Sequence, residues 1–79
     1  VIGREARAGE GFIALSDHLT PIGAIRLAQP NSNDEFAAVL YSALRAADEQ
    51  KLRVVNVLPP EGDGIAIAIR DRVQRAAAG

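Results

Sequence analysis

A nearly continuous apolar run rich in valine occupies residues 52–58, and turn-forming residues follow it at once, beginning with Pro59 and Pro60. The β-branched residues and the abrupt end predict a strand that is covered on both faces. Segments with helical spacing precede and follow this run. We therefore predict that residues 52–58 form the central strand of a parallel α/β fold.

Two shorter apolar runs predict further strands at residues 12–15 and 24–28. Alternation in the second run puts Arg26 on its more exposed face. Residues 16–23 are rich in loop formers, and this connection is shorter than the ~12 residues that a helical crossover needs. We therefore expect either that the two strands pair antiparallel or that another strand separates them.

The clearest helix start lies at residues 29–35. Ser32 and Glu35 have the spacing of a capping box, in which each side chain accepts a hydrogen bond from the amide of the other residue. Apolar residues then recur every three or four positions, so we predict a helix that ends near Gln50. Its apolar stripe consists of Phe36, Val39, Leu40, Ala43, Leu44 and Ala47. We predict that residues 24–28, this helix and residues 52–58 form a βαβ unit with a right-handed crossover.

Residues 65–76 begin with an alternation of isoleucine and alanine that also fits a strand. The spacing of the later apolar residues favours a helix, with the strand as the open alternative. Asp63 is placed to cap this helix, and Arg75 suits its carboxyl end. The predicted buried face consists of Ile65, Ala68, Ile69, Arg72, Val73 and Ala76, and the predicted outward face of Arg70, Asp71, Gln74 and Arg75.

Residues 1–8 mix charged residues with alanine and meet Gly9, a pattern typical of the last turns of a helix that begins further upstream. A chain of 79 residues supports one small core. We therefore expect residues 1–79 to be a single small α/β domain that was cut from a longer protein.

Composition excludes several classes of function. The absence of cysteine excludes disulfides, zinc-thiolate sites and thiol nucleophiles, and it fits a reducing compartment. The formal net charge of -1 gives no general attraction to nucleic acids or to anionic membranes. No apolar run approaches the ~20 residues of a membrane span, and no signal peptide is evident. We interpret the protein as soluble and cytoplasmic, without direct nucleic-acid or membrane contact.

The sequence Gly62, Asp63, Gly64 lies between a predicted strand and a predicted helix, as the glycines of a dinucleotide-binding loop do. Ile67 stands where that fingerprint has its third glycine, and the carboxylates of Glu61 and Asp63 would repel phosphate. A structural turn is therefore the first interpretation. A nucleotide-binding or anion-binding module that uses this loop is the alternative.

Ser16, Asp17 and His18 are the residue types of a hydrolase triad, but consecutive residues cannot easily point at one another. His18 is the single histidine, and no spacing supports a metal site around it. A solvated loop is the better interpretation. A possible RNA-binding strip of arginines lacks the stacking aromatics of such modules, and a solvated surface again explains it better; these arginines are Arg53, Arg70, Arg72 and Arg75.

A polar row of Tyr41, Arg45 and Asp48 runs beside the apolar stripe of the first predicted helix. The simplest interpretation is a surface ion pair between Arg45 and Asp48, worth under about 1 kcal/mol. The alternative is a docking face for another domain, because tyrosine and arginine are favoured interface anchors.

Two stretches resemble a known family. Residues 36–48 read F-A-A-V-L-Y-S-A-L-R-A-A-D and are similar to the pattern L-[YF]-x-A-L-R-x-x-D in the C-terminal accessory domain of two-domain threonylcarbamoyl-AMP synthases. Residues 60–66, 68–73 and 76–77 resemble the ending E-G-x-G-x-A…A-[IV]-x-x-R-[LV]-x-x-A-A of the same domain. The matching motif positions are Leu40, Tyr41, Leu44, Arg45, Asp48, Gly62, Gly64 and Arg72.

The resemblance implies a small Rossmann-like domain with a mainly parallel three-stranded sheet and flanking helices. It also implies a partner, the catalytic domain that makes threonylcarbamoyl-AMP from threonine, bicarbonate and ATP for the modification of tRNA. In this family the chemistry and the ATP belong to that other domain, which the accessory domain closes over or regulates. The chain itself would then have no catalytic, cofactor-binding or metal-binding residue.

We accordingly assign an interface role to Tyr41, Arg45, Asp48 and Arg72. The sequence lacks the family's catalytic domain and its Tyr/His/Pro-rich linker, and the first strands of the domain look truncated. A stand-alone relative therefore remains an alternative. A self-associating domain that pairs through an exposed sheet edge is another.

Overall fold

A computed structural model describes residues 6–78 of the chain. Its elements are β1 (Gly11–Ile13), β2 (Ile25–Ala28), α1 (Asn33–Glu49), β3 (Val55–Val57) and α2 (Ile65–Ala78). The strands form one parallel sheet in the order β2-β1-β3. The predicted α/β class, with a three-stranded parallel sheet and two flanking helices, is confirmed.

The central strand of the described sheet is β1, so the prediction that residues 52–58 are central was wrong. All three residues of β1 are buried, whereas Val55 in β3 is only partly buried. Apolar content does not reveal which strands lie on either side of a given strand. Here α1 carries the chain from β2 to the far side of β1, where β3 forms, and β1 therefore lies between β2 and β3. The strand β3 begins late because the Leu52 amide still donates to the Ala47 carbonyl of α1.

β1 and β2 are adjacent and parallel, so both expected arrangements, an antiparallel pair and an inserted strand, were wrong. Gly11 pairs with Ile25, and the register shifts between Phe12 and Ile13. The connection, residues 14–24, contains no helix. An irregular loop can replace a crossover helix only if its backbone polar groups find partners.

Arg26 supplies those partners. Its guanidinium donates to the carbonyls of Ala14 at 2.8 Å, Leu15 at 2.9 Å and His18 at 2.8 Å, all in the connecting loop. The guanidinium carbon also lies 4.9 Å from the centre of the Phe12 ring. Arg26 is therefore partly buried and bonded, not a solvated residue on an exposed face as predicted. Burial lowers the pKa of this guanidinium, which stays charged at neutral pH.

Both helices pack on the same face of the sheet. Their shared core consists of Ile13, Phe36, Leu40, Ala43, Val57, Ile69 and Val73. Four of the six predicted stripe residues of α1 are buried, namely Phe36, Leu40, Ala43 and Ala47, and the other two, Val39 and Leu44, are partly buried.

The buried face of α2 differs from the prediction. Ala66, Ile69 and Val73 are buried, whereas Ile65 is 41% exposed and Arg72 is exposed. The spacing of apolar residues in α2 fits two neighbouring stripes. Packing against the sheet and α1 selects the stripe that begins with the small Ala66.

The opposite face of the sheet carries a smaller cluster, because neighbouring residues of a strand point to opposite sides. Phe12, Ala6 and Ala14 are its buried members. Asn56 is also fully buried, and its side-chain amide donates to Glu10 Oε1 at 3.0 Å. The amide thereby keeps a hydrogen-bonding partner inside the protein.

The amino end of α1 has the predicted cap with one change. The Ser32 hydroxyl accepts from the Glu35 amide at 3.2 Å, as predicted. The Glu35 carboxylate accepts from the Asn31 amide at 2.6 Å instead of the Ser32 amide. Ser32 has an extended backbone, with φ -150° and ψ 169°, and this conformation lets the preceding amide reach the carboxylate.

Asp63 was predicted to cap α2, and this was wrong. Within residues 6–78, no hydrogen bond joins an amide to its carboxylate, and the helix begins after Gly64 with the Ile67 amide donating to the Gly64 carbonyl at 3.1 Å.

Removing the Ser32 hydroxyl should cost stability. We expect Ser32→Ala to lower the free energy of unfolding by about 1 kcal/mol, because the first turn of α1 loses its side-chain acceptor. Urea denaturation followed by circular dichroism measures this change. Ser42→Ala is the matched control, since Ser42 is an exposed residue in the middle of the same helix. Equal midpoints for the two variants would show that the cap contributes nothing.

The predicted helix of residues 1–8 lies largely outside the described residues. Its described part, residues 6–8, is not helical, so that part of the prediction was wrong. The chain instead turns back here, with the Glu10 amide donating to the Arg7 carbonyl at 3.1 Å. Gly9 has the predicted left-handed conformation, with φ +83°, but it belongs to this turn.

Candidate functional site

The polar row of α1 lies on its surface. Tyr41 is 56% exposed, and Arg45 and Asp48 are exposed as well. The expected ion pair between Arg45 and Asp48 is absent from the part of the chain that the structure describes, so this interpretation was wrong. Exposed charges gain too little energy to hold two long side chains in one geometry. Both charged groups are therefore available to a partner.

An apolar groove of about 130 Å³ lies where α1, α2 and β3 meet. It is lined by Leu40, Leu44, Val55, Val57, Val73, Ala76 and Ala77. Tyr41 and Asp48 border the groove on α1, because they lie three positions before and four positions after the lining residue Leu44, and residues at these separations are neighbours on a helix surface. Arg45 extends this border, since it lies four positions after Tyr41. Arg72 adjoins Val73 and Ala76 on α2 by the same rule.

We call the groove together with its four bordering residues, Tyr41, Arg45, Asp48 and Arg72, the docking surface. The structure places all four predicted interface residues at exposed positions. They lie on two helices that pack against each other. An apolar centre with a polar, charged border is the usual composition of a protein–protein interface.

The predicted ligand loop at Gly62, Asp63 and Gly64 is an exposed turn. Gly62 and Gly64 have φ of +103° and +68°, which strongly favour glycine over residues with side chains. The Arg70 guanidinium donates to the carbonyls of Pro60 and Gly62, each at 2.9 Å. Arg70 was predicted to point outward, and this was wrong because the unpaired loop carbonyls attract its guanidinium. The nucleotide or anion site at this loop stays a prediction.

Ser16, Asp17 and His18 lie in an exposed loop. The Ser16 amide donates to the Pro30 carbonyl at 2.8 Å, and His18 Nε2 lies 3.9 Å from an Asp17 carboxylate oxygen. Among residues 6–78, no three His, Cys, Asp or Glu side chains are grouped so that they could hold a metal ion. In the same range, no helix combines the length and the hydrophobicity needed to cross a membrane.

Sequence reasoning missed a second concave site, a cavity of about 280 Å³ beyond the ends of β1 and β3. It is lined by Leu15, His18, Leu58, Pro59, Pro60 and Glu61. Part of the signal was present, because residues 52–58 were predicted to be a strand of a mainly parallel sheet, and ligands bind outside the carboxyl ends of such strands. The direction of residues 12–15 was left open, so the sequence did not place the carboxyl ends of these two strands side by side.

The outer edge of β2 carries no further strand in the described sheet. Exposed edges of this kind can pair with another chain. The predicted possibility of a homo-oligomer stays a prediction.

The fold defines a class, a small α/β domain with a three-stranded parallel sheet and two flanking helices. The family model described as threonylcarbamoyl-AMP synthase, C-terminal domain, matches residues 3–78. The chain belongs to this family, and the resemblance seen in residues 36–48 and 60–77 is confirmed. A search of curated proteins and a search of solved structures gave no match.

Proposed function

We propose that this domain is a non-catalytic regulator that binds a catalytic threonylcarbamoyl-AMP synthase domain through the docking surface. The family membership supports a link to such a catalytic domain in tRNA modification. The observation that carries the proposal is the exposed Tyr41 ring beside an apolar groove. We expect the pair to act in the cytoplasm.

Tyr41 has the properties of an interface anchor. A tyrosine ring brings a large apolar area and a hydroxyl while it loses little side-chain entropy, and such rings are enriched among the residues that dominate binding energy. Covering the groove would remove from water the lining side chains that are still accessible, which are Leu44, Val55, Ala76 and Ala77. Burial of apolar area contributes about 25 cal/mol per Å² before the costs of association.

The charged residues of the docking surface would set orientation. Arg45 and Asp48 carry opposite charges one turn apart on α1, and Arg72 adds a positive charge on α2. Charges at the border of an interface contribute more to the association rate and to register than to affinity. A partner with a complementary pattern of charges would therefore bind in one orientation.

The regulatory role follows from where the chemistry resides. The family description names a C-terminal domain of the synthase, and the proposal leaves threonine, bicarbonate and ATP to the catalytic domain. Docking of a second domain can hold a flexible active-site segment closed and exclude water from the reaction. The domain would then change the rate of threonylcarbamoyl-AMP formation without contacting the reacting atoms.

We expect Tyr41→Ala to weaken binding of this chain to an isolated catalytic synthase domain by about 10-fold or more, since an interface anchor is lost. Isothermal titration calorimetry measures the affinity. The rate of threonylcarbamoyl-AMP formation, with and without added chain, measures the regulatory effect. The chain should change that rate, and the Tyr41→Ala variant should do so only at higher concentration.

Leu19→Ala is the matched control, because Leu19 is a 91% exposed apolar residue in the loop after β1, outside the docking surface. It should leave affinity and rate unchanged. The proposal fails if the wild-type chain neither binds the catalytic domain nor alters its rate. It also fails if Leu19→Ala weakens binding more than Tyr41→Ala.

A further inference from the structure

The cavity at the end of the sheet is built by two segments that follow neighbouring strands. Leu15 and His18 come from the loop after β1, and the other lining residues come from residues 58–61 after β3. β1 and β3 are parallel neighbours, so their carboxyl ends lie side by side. The volume of the cavity, about 280 Å³, is close to that of the smallest pockets that hold drug-sized ligands, about 300 Å³.

This cavity lies at the point where the topology of the sheet reverses. The chain leaves β1 towards β2 on one side, and α1 then brings it to β3 on the other side. The loops that follow β1 and β3 therefore run in different directions and leave a crevice between them. In open parallel α/β sheets, ligands bind in the crevice at such a switch point.

Both walls of the cavity are held in place. The Leu58 amide donates to the Ile13 carbonyl at 2.9 Å, and the His18 amide donates to the Leu15 carbonyl at 3.0 Å. Arg70 holds the Pro60 carbonyl at 2.9 Å, on the same wall as Leu58. A cavity whose walls are already ordered costs less conformational entropy when a ligand binds.

The lining combines apolar walls with one aromatic and one acidic group. Leu15, Leu58, Pro59 and Pro60 suit a flat apolar body. The imidazole of His18 is a ring on which nucleobases can stack. The carboxylate of Glu61 is an acceptor of the kind that recognises an exocyclic amino group on a base. Each polar group at the cavity thus matches one part of an aminated nucleobase.

We propose that this cavity binds a nucleobase with an exocyclic amino group, presented as a neutral nucleoside. Glu61 and Asp63 are exposed carboxylates, and no ion pair neutralises either of them within residues 6–78. Arg70 is a nearby cation that donates to backbone carbonyls and keeps its charge, but the two carboxylates outnumber it. A phosphate on the ligand would therefore meet repulsion. The preference for a neutral nucleoside distinguishes this site from an anion-binding loop at Gly62 to Gly64.

The test is a titration of the chain with adenosine, followed by amide NMR. We expect saturable shifts at the amides of Leu15, His18, Leu58 and Glu61, because these residues line the cavity. The affinity should fall in the order adenosine, AMP, ATP. Inosine, which has a carbonyl in place of the amino group, should bind about 5-fold more weakly or worse, because two acceptors would face each other.

Two variants assign the roles. His18→Ala should weaken adenosine binding about 5-fold or more through lost stacking. The hydrogen bonds at this position use the backbone of His18, so the loop keeps them. Glu61→Gln should weaken adenosine about 3-fold or more and should raise the affinity of AMP relative to adenosine, because a charge is removed. Glu49→Gln, an exposed carboxylate on α1, is the matched control and should change neither affinity.

The proposal is overturned if adenosine added to about 10 mM produces no saturable shift. It is also overturned if ATP binds more tightly than adenosine and the shifts centre on residues 62–65, which would support the anion-binding loop. Neither result affects the docking surface, whose test uses a protein partner and a different face of the domain.

Discussion

Arg26→Ala is expected to lower the free energy of unfolding by about 2–4 kcal/mol. The substitution leaves the carbonyls of Ala14, Leu15 and His18 without the guanidinium that bonds them. Hydrogen bonds to charged groups contribute roughly 1.5–3 kcal/mol each, and partial access of water to the loop reduces their sum. A domain of 79 residues has a total stability of about 4–12 kcal/mol, so this loss is a large fraction.

Urea denaturation followed by circular dichroism measures the loss. Arg53→Ala is the matched control, because Arg53 is exposed and lies outside the regular elements. It should change stability by less than about 0.5 kcal/mol. Arg26→Lys should recover only part of the loss, since one ammonium cannot reach several carbonyls in a fixed fork. If Arg26→Ala were no more destabilising than Arg53→Ala, the loop would have to be held by other contacts.

Phe36→Ala is expected to cost about 3–5 kcal/mol, the largest loss for a single core residue. Phe36 is fully buried and belongs to the core between the helices and the sheet. Truncation removes the ring from this core and leaves a cavity that the small domain cannot refill. At the lower end of the expected stability of this domain, about 4 kcal/mol, a loss of this size would unfold much of the protein.

The matched control for Phe36→Ala is Tyr41→Ala on the same helix. Tyr41 is 56% exposed, so its truncation should change the free energy of unfolding by less than about 0.5 kcal/mol. Thermal unfolding of both variants measures the contrast. Similar midpoints for the two variants would mean that Tyr41 is part of the core, and a binding defect of Tyr41→Ala could then no longer be assigned to lost contact with a partner.

The substitution Arg26→Ala also separates the two proposed sites. The loop that Arg26 holds contributes Leu15 and His18 to the cavity, so Arg26→Ala should weaken adenosine binding as well as stability. The docking surface is formed by the two helices and β3 and does not use this loop. One domain would therefore present a protein-binding face on its helices and a ligand cavity at the end of its sheet.

Local features of this protein followed from sequence alone. The helix α1, the hydrogen bond of its Ser32 cap and most of its buried stripe depend on residues within a few positions of one another, and these were predicted correctly. The helical state of α2 was predicted for the same reason. The motif around Tyr41 and Arg45 led to the family, because its order and spacing are properties of the chain.

Features that depend on distant partners were not predictable in this way. The position of β1 between β2 and β3, the parallel pairing across an irregular loop and the inward role of Arg26 all require knowledge of which segments meet in space. The stripe of α2 that is buried was settled by its fit against β1, β3 and α1. The residue pattern thus established which helices form and which family they mark. Packing between distant segments established which strand is central, which arginines hold loops, and where Leu15 meets Glu61 to form a cavity, because these contacts exist only after the chain has folded.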